Sequence, residues 1–408
     1  MKTDVCRSCG SMSLTTFLAL GTTPLANALL CEEDLTRDEP RFPLDVAFCS
    51  ECSLVQILET VPPDVMFSEY LYLSSFSTTM VEHARALAER TIATRHLGPK
   101  SLAMEVASND GYLLQWYAKQ GVPVIGIEPA QNVAAIARDK GIATECAFFG
   151  LATATGLAER GLQADVLHAH NVLAHVPQLN DFVAGIRRVL KIDGIGIIEV
   201  PYVADLIRRV EFDTIYHEHL SYFSLTALDT LFRRHQLTIA DVKHVPIHGG
   251  SLQLELQHPG QVARSAAVLE LLAEERAAGV DAFAFYADFS QRVETLRTEL
   301  VPLLHQLKAT GKSIGAYGAS AKGSTLLNVC GIGRDLLEFT VDRSSMKQGR
   351  FMPGVHLPIV APSRLESNPP DYLLLLTWNF VDEILEQQKA YRAAGGKFII
   401  PLPQPKIV

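Results

Sequence analysis

The sequence lacks the long apolar runs of membrane proteins. No stretch reaches the roughly 18 consecutive apolar residues that span a bilayer, and the first residues, Met1 to Asp4, lack the apolar core of a secretory signal. It also lacks low-complexity tracts, and 48% hydrophobic with 20% charged residues is the composition of a folded globular protein. We therefore expect neither a membrane-spanning nor a disordered chain, and we predict a cytoplasmic location.

Positive charge is scarce as well. Lys and Arg total 36 against 45 Asp and Glu, which gives a formal net charge of −9. Nucleic acids and anionic membranes are bound by broad basic surfaces, so neither is an expected partner, although a local basic pocket is compatible with this balance. The 408 residues, at about 150 per domain, predict two or three domains, and we expect a monomer.

Cysteine is sparse but is not scattered. Four of the seven cysteines form two C-x-x-C pairs, Cys6 with Cys9 and Cys49 with Cys52. Disulfides are not expected in a reducing compartment, whereas four thiolates supply the tetrahedral sulfur shell that Zn²⁺ prefers. A redox motif or two chance pairs are the alternatives. A site with four cysteine ligands has no open position, so this zinc would be structural.

The middle of the chain alternates strands and helices. After a helix between Pro62 and about Leu97, the pattern from Ser101 to Val200 predicts a parallel, doubly wound sheet. Ligands of such sheets bind at the carboxyl ends of the strands, where the turn Ser108 to Gly111 lies. Glu128 comes 17 residues after Gly111, near the spacing at which an acidic side chain binds ribose hydroxyls. An adenosine-type cofactor is therefore expected.

The turn after the first strand has few glycines. NAD needs several for its pyrophosphate, whereas S-adenosylmethionine has no phosphate, so the latter is favoured. The run from Arg188 to Gly194 before the strand Ile195 to Val200 also resembles the late helix-turn-strand of class I methyltransferases. A structural Rossmann unit without nucleotide is the alternative. The expected cofactor-binding residues are Glu105, Ala107, Asn109, Gly111, Tyr112, Glu128, Pro129 and Asn171.

A second alternating unit runs from Ser313 to Ile400. Its first strand is followed by the turn Gly318 to Ser324, and Thr325 opens the predicted helix. This is not a Walker A loop, because Lys322 precedes Gly323 where that motif needs Gly-Lys. A helix N-terminus with a lysine and hydroxyls is still a ready anion site, and an ordinary capped helix with a solvated lysine is an equally good interpretation.

Titratable side chains are concentrated in one short segment, which holds Tyr216, His217, Glu218, His219 and Tyr222. A catalytic zinc site on a helix needs H-E-x-x-H, and this segment reads H-E-H, so zinc hydrolase chemistry is not expected. A neutral histidine can remove a proton near pH 7, and Glu218 would orient the ring. His175 is expected at the same edge of the sheet. A structural role remains the alternative for each histidine.

The motifs taken together resemble the three-part sugar C-methyltransferases of deoxysugar biosynthesis. The matching segments are the two C-x-x-C pairs with Thr23 to Asn27 between them, Glu105 to Gly111, Asn171 to Pro177, Tyr216 to His219, Gly315 to Asn328 and Lys347 to Phe351. The resemblance implies methyl transfer from S-adenosylmethionine to C-3, in some members C-5, of a nucleotide-linked 4-keto-6-deoxy sugar. It also implies zinc in the N-terminal domain and the nucleotide in the C-terminal one.

The same resemblance assigns residues. It makes His219 the base, with Tyr216, Glu218, His175 and Tyr70 around the substrate, while Ser324 stands where many relatives have Asn. The residues expected to bind substrate are Tyr72, Tyr222, His248, Ser320, Lys322, Asn328 and Arg350. The predicted α/β fold has a zinc-binding domain at 1–60, a class I methyltransferase domain with a Rossmann-like parallel sheet at 61–245, and a second Rossmann-like α/β domain at 246–408.

Chemistry agrees with these assignments. A carbon beside a ketone loses its proton only if a donor meets the enolate oxygen, and tyrosine hydroxyls are such donors. Methyl transfer then needs alignment in a dry cleft, which two α/β domains would form. Two other classes stay open: an O- or N-methyltransferase on the same scaffold, and a zinc-ribbon binding module whose methyltransferase domain is inert.

Overall fold

The computed structural model describes residues 2–62 and 73–408. The strands are β1 (Leu14–Pro24), β2 (Arg41–Cys49), β3 (Val55–Ile57), β4 (Ala103–Val106), β5 (Val124–Ile127), β6 (Thr144–Glu145), β7 (Ala164–His170), β8 (Leu190–Pro201), β9 (Ser221–Tyr222), β10 (Thr238–Val245), β11 (Ser251–Gln257), β12 (Ile314–Tyr317), β13 (Thr340–Val341), β14 (Ile359–Val360), β15 (Tyr372–Leu375), β16 (Lys397–Ile400) and β17 (Lys406–Ile407). The α-helices are α1 (Thr78–Arg95), α2 (Leu114–Lys119), α3 (Gln131–Asp139), α4 (Leu151–Glu159), α5 (Leu179–Val189), α6 (Val203–Arg208), α7 (Leu225–Arg234), α8 (Ala266–Ala278), α9 (Phe289–Ala309), α10 (Ala321–Cys330), α11 (Arg364–Ser367), α12 (Val381–Gln387) and α13 (Lys389–Ala393). Among the helices described, none is long and apolar enough to cross a bilayer.

The first sheet is antiparallel, with the order β1-β2-β3-β9. Its first three strands come from the N-terminal 60 residues. The fourth, β9, comes from the middle of the chain, and Val55 of β3 lies opposite Tyr222 of β9. The N-terminal domain is therefore joined by strand pairing to the segment that immediately follows His219.

The second sheet has seven strands in the order β10-β11-β8-β7-β4-β5-β6. The strands from β8 to β6 are parallel, and β11 runs antiparallel to both of its neighbours. The helices α2 to α5 alternate with these parallel strands, which confirms the expected Rossmann-like sheet. The sequence predicts that the methyltransferase domain ends at residue 245. Strand β11 follows that residue and still belongs to this sheet. The predicted domain boundaries stay a prediction.

The third sheet has the order β14-β13-β12-β15-β16-β17, and all strands but β17 are parallel. This confirms a second α/β layer. The helix after β12 begins at Ala321 and not at Thr325, because the Ser320 side chain accepts a hydrogen bond from Gly323 N–H and caps the helix. The helix therefore starts four residues earlier than the sequence pattern indicated, and Lys322 lies in its first turn.

Helix α9 joins the first and third sheets. Its buried side chains recur every three or four residues, at Val293, Leu296, Leu300 and Leu304, which is the spacing of one helix face. That face belongs to an apolar core that includes Phe48 of β2 and residues of the third sheet. A separate core lies against the second sheet. Residues of both α/β layers line a cavity between them.

Candidate active site

A cavity of about 920 Å³ lies between the carboxyl ends of the second and third sheets. This is near the upper end of the volumes of small-molecule sites. All three domains contribute to its wall. The sequence-predicted residues that line it are Ala107, Asn109, Tyr112, Glu128, Pro129, Asn171, His175, Tyr216, Glu218, His219, Ser320 and Lys322.

The cofactor side of the cavity is built on the turn after β4. Ala107, Asn109 and Gly111 all have positive φ, at +53°, +50° and +78°, so the chain turns sharply here. Gly111 is required, because a Cβ at this position would lie 2.9 Å from Ile142 Cγ1 while also adopting an unfavourable backbone angle. Gly111 does not line the cavity itself; it shapes the turn that does.

Glu128 follows β5 and holds the same turn. Its Oε2 accepts the Asn109 N–H at 2.9 Å, and its Oε1 accepts the Ala130 N–H at 2.9 Å. A carboxylate has about four acceptor positions, so two remain for the hydroxyls of a ribose. Burial raises the pKa of Glu128, while these two hydrogen bonds lower it.

Glu105 lies behind the turn, outside the cavity wall. It is fully buried near Asp110 and Glu128, and its pKa lies well above the usual value because burial and these carboxylates oppose ionisation. Its Oε2 has no hydrogen-bond partner in the described structure. The remaining acceptors of Glu128 and the scarcity of phosphate-binding glycines together fit the ribose of S-adenosylmethionine.

The segment around His219 is a tight turn. The His219 N–H donates to the Tyr216 carbonyl at 2.9 Å, so Tyr216, Glu218 and His219 all reach the cavity. His217 points away and bonds the Pro43 carbonyl at 3.1 Å. In an extended strand Glu218 and His219 would lie on opposite faces; the turn brings them to one site.

Hydrogen bonds determine the tautomer of His219. Its Nδ1 lies 2.9 Å from the Thr214 carbonyl, which can only accept, so Nδ1 carries the proton. Nε2 is therefore the basic nitrogen, and it accepts the Tyr216 hydroxyl at 2.8 Å. The expectation that Glu218 orients the His219 ring is wrong, since both ring nitrogens have other partners. A main-chain carbonyl takes that role.

Glu218 and His175 have strongly shifted pKa values. Burial raises the pKa of Glu218 to about 7, opposed by a hydrogen bond from Asn27 Nδ2 at 2.7 Å and by the charge of Lys347. Burial lowers the pKa of His175 to about 4, so this ring is neutral near pH 7. The His175 ring packs edge-on to the His219 ring, with centroids 4.7 Å apart.

Lys322 lies in a buried charge cluster. Its Nζ has no hydrogen-bond partner in the described structure and lies 4.7 Å from the centroid of the Trp378 ring. Burial lowers its pKa, while Asp213 and Glu211 raise it. Burial in turn raises the pKa of Asp213 to about 6 and that of Glu211 to about 8. Asp213 and Glu211 thus both interact with the ammonium group of Lys322. The alternative of a solvated lysine at an ordinary capped helix does not describe this buried side chain.

The turn after β12 is held from two sides. Asp342, at the end of β13, accepts the Ala319 N–H at 2.8 Å and the Ser344 N–H at 2.8 Å. Lys347 Nζ donates to the Ala319 carbonyl at 2.7 Å. Asp342 therefore supports its turn as Glu128 supports the turn after β4, and both acids line the cavity.

Several predicted substrate-binding residues lie elsewhere. Asn328 donates to the Ser324 and Pro353 carbonyls outside the cavity wall, and half-buried Arg350 is not part of that wall either. Tyr222 is buried in β9, behind the site. The backbone of His248 lies in a short 3-10 helix, Ile247–Gly249, and its side chain is outside the description. The predictions for Tyr70 and Tyr72 fall on residues outside the described ranges.

The four paired cysteines lie together at the start of the first sheet. Their sulfur atoms are all within 4.8 Å of one another, with Cys6 to Cys52 at 3.4 Å and Cys9 to Cys49 at 3.6 Å. A tetrahedral site with Zn–S bonds of about 2.3 Å places its sulfurs about 3.8 Å apart. The geometry fits a closed four-cysteine zinc site.

Sequence reasoning missed several residues of the site, namely Asn27, Thr214, Asp342 and Trp378. Asn27 ends the segment Thr23 to Asn27, which matches the sugar C-methyltransferase family but was given no function in the sequence analysis. Asp342 directly follows a short strand of the second alternating unit, and that position was a usable signal. Thr214 acts through its carbonyl, which no side-chain pattern records.

Known families match all three parts of the chain. The matching models are a zinc binding domain at residues 6–67, a methyltransferase domain at 80–242 and a C-methyltransferase C-terminal domain at 246–403. The C-methyltransferase NovU of Streptomyces niveus is 37% identical over 407 residues, covering 99% of this chain and 97% of that protein.

Solved structures match less than half of the chain. Magnesium protoporphyrin IX methyltransferase of Synechocystis PCC 6803 is 14% identical over 44% of this chain and 79% of its own, with a TM-score of 0.34. The CcbJ methyltransferase of Streptomyces caelestis is 14% identical over 43% of this chain and 89% of its own, with a TM-score of 0.33. The full-length match, together with the cysteine cluster and the Rossmann-like sheet, shows that the chain belongs to the zinc-binding, S-adenosylmethionine-dependent C-methyltransferases.

Proposed function

We propose that the chain methylates the carbon beside the ketone, C-3, of a nucleotide-linked 4-keto-6-deoxy sugar, with His219 Nε2 as the base. The observation that carries the proposal is the tautomer of His219. Its Nδ1 proton is committed to the Thr214 carbonyl, so Nε2 enters the cavity as a proton acceptor. A histidine base also serves methyl transfer to a hydroxyl, and the full-length similarity to a C-methyltransferase favours carbon as the acceptor.

The proton step uses two neighbouring groups. His219 Nε2 takes the proton from the substrate carbon, and the electrons of that C–H bond form the enolate, whose charge collects on the former ketone oxygen. The Tyr216 hydroxyl, 2.8 Å from Nε2, turns from the imidazole to this oxygen and donates to it. Catalytic hydrogen bonds commonly rearrange in this way when substrate enters.

S-adenosylmethionine, when bound, supplies the electrophilic methyl group, and the enolate carbon accepts it as the methyl–sulfur bond breaks. Glu128 and the turn from Ala107 to Gly111 would hold this cofactor at the ribose and at the methionine end. Neutral His175 packs edge-on against His219 and forms part of the wall beside the base.

The nucleotide end of the substrate is assigned to the third sheet. The turn Gly318 to Ser320, supported by Asp342 and Lys347, faces the cofactor turn across the cavity. Lys322 supplies positive charge, and Glu211, which also lines the cavity, gives the same pocket an acceptor for sugar hydroxyls. The pocket therefore suits a ligand with both anionic and hydroxyl groups.

A substrate panel tests this function. The protein is incubated with methyl-labelled S-adenosylmethionine and thymidine- or guanosine-diphosphate 4-keto-6-deoxy sugars, and the products are read by mass and by carbon NMR. The label should appear on C-3. A label on oxygen or nitrogen would identify the alternative methyltransferase, and binding of S-adenosylmethionine without transfer to any sugar would contradict the proposed substrate class.

A further inference from the structure

Asn27 lies where the zinc domain reaches the cavity. Strand β1 starts with Leu14 opposite the zinc ligand Cys49 and ends at Pro24 opposite Arg41. Its 11 residues span about 33 Å at about 3.3 Å per step, and Asn27 follows three residues later. The zinc site is thus far from the chemistry, but the strand it anchors ends at the cavity wall.

The side chain of Asn27 contacts the catalytic turn directly. Its Nδ2 lies 2.7 Å from Oε1 of Glu218, which is only 5% exposed, while Asn27 itself is open to the cavity. The chain next to Asn27 is fixed from the third sheet's side, because Leu30 and Phe351 exchange two main-chain hydrogen bonds of 3.0 and 2.9 Å. These bonds hold the backbone beside Asn27 in place, and with it the side-chain amide that donates to Glu218.

The zinc domain also holds the catalytic turn by its backbone. Strand β9, which begins two residues after His219, pairs with β3 of the first sheet. Arg7 NH1 lies 3.4 Å from the Leu220 carbonyl. The zinc domain therefore contacts this turn in two ways. It pairs with the main chain that follows His219, and the side chain of Asn27 bonds the side chain of Glu218.

We propose that Asn27 is a positioning residue that holds Glu218 as a carboxylate at the substrate. An amide N–H favours the charged form of the acceptor that it bonds. The other groups facing Glu218 are Lys347, whose charge acts in the same direction, and neutral His175, whose ring bonds the Glu218 main chain. The inference rests on the proposed function, since it assigns Glu218 to the reacting site.

Infrared difference spectroscopy of the full-length, zinc-loaded protein without substrate tests the contact. The protonated-carboxyl band of Glu218 is identified by its loss in Glu218→Gln and is titrated with pH. Loss of one hydrogen bond to a charged group should raise the midpoint by about one to two pH units in Asn27→Ala. Asn27→Asp has the same size and adds a like charge, so its midpoint should rise further.

Asn180→Ala is the matched control. Its Nδ2 also joins the methyltransferase and zinc domains, donating to the Arg7 and Ser8 carbonyls, but it lies outside the cavity wall. This variant should lose stability while the Glu218 midpoint stays at the wild-type value. Zinc content verifies that each variant retains its N-terminal domain.

The pH profile of turnover gives the second readout. In Asn27→Ala the acidic limb assigned to Glu218 should move upward by the same amount as the infrared midpoint, and turnover should recover at pH values above it. An unchanged midpoint in both Asn27 variants, or turnover lost equally at every pH, would overturn the proposal. A shifted midpoint in a protein that methylates no keto sugar would support the positioning contact and refute the proposed function.

Discussion

Replacing Glu128 tests how the cavity binds its cofactor. Glu128→Ala removes the two acceptor positions expected to meet the ribose, and it leaves the N–H groups of Asn109 and Ala130 without partners. Hydrogen bonds that involve a charged group contribute about 1.5 to 3 kcal/mol, so the affinity for S-adenosylmethionine should fall by about 10- to 150-fold. The backbone loss adds a destabilisation of about 1 to 3 kcal/mol.

Glu128→Gln separates lost volume from lost acceptors. The amide is the same size, but it has one acceptor oxygen and cannot serve both N–H groups, so its affinity should lie close to that of Glu128→Ala. Isothermal titration calorimetry measures the binding, and thermal unfolding measures the stability. Wild-type affinity in either variant would refute the assignment.

Asp342→Asn provides the matched comparison. Asp342 accepts two main-chain N–H groups at the end of its strand, as Glu128 does, but it belongs to the third sheet. We expect Asp342→Asn to keep the affinity for S-adenosylmethionine and to raise the KM for the nucleotide sugar. If both variants weakened S-adenosylmethionine equally, the division of the cavity between two ligands would be wrong.

Three further predictions follow from the site. Chelating the zinc should unpair β3 from β9 and abolish turnover, which metal analysis, circular dichroism and activity measured together would show. Tyr216→Phe should lower turnover but leave S-adenosylmethionine affinity unchanged in calorimetry, and full activity would remove Tyr216 from the proton step. The pKa of Asp213 is about 6 in the folded protein and near 3.9 when unfolded, so the folded state binds more protons between these values and stability should fall as pH rises from 4 to 6. Asp213→Asn keeps an acceptor for Trp378 Nε1 and should flatten that fall in a melting series.

Features formed by residues that are close together in the sequence were predicted from sequence patterns. The spacing of the paired cysteines predicted the zinc site, because two residues between ligands let both thiolates reach one ion. The alternation of apolar segments predicted both Rossmann-like sheets. Glu128 was found from its distance to Gly111, since strand, turn and helix lengths in such units vary little.

The remainder depends on tertiary contacts. Glu218 was expected to orient His219 because the two are adjacent, but the main-chain carbonyl of Thr214 is the partner of His219 Nδ1. Asn27 meets Glu218 across 191 positions of sequence. Lys322 was expected in the turn before the helix, because the sequence did not show that the cap is Ser320.

Solvent exchange at the substrate carbon tests the central claim most directly. The wild-type protein, incubated in D₂O with the keto sugar, should replace the proton beside the ketone with deuterium, as NMR would show. His219→Asn keeps the size of the side chain but cannot accept the proton at Nε2, so exchange should fall by about 10²- to 10⁴-fold while S-adenosylmethionine still binds. Exchange at the wild-type rate in His219→Asn would show that the base is another residue.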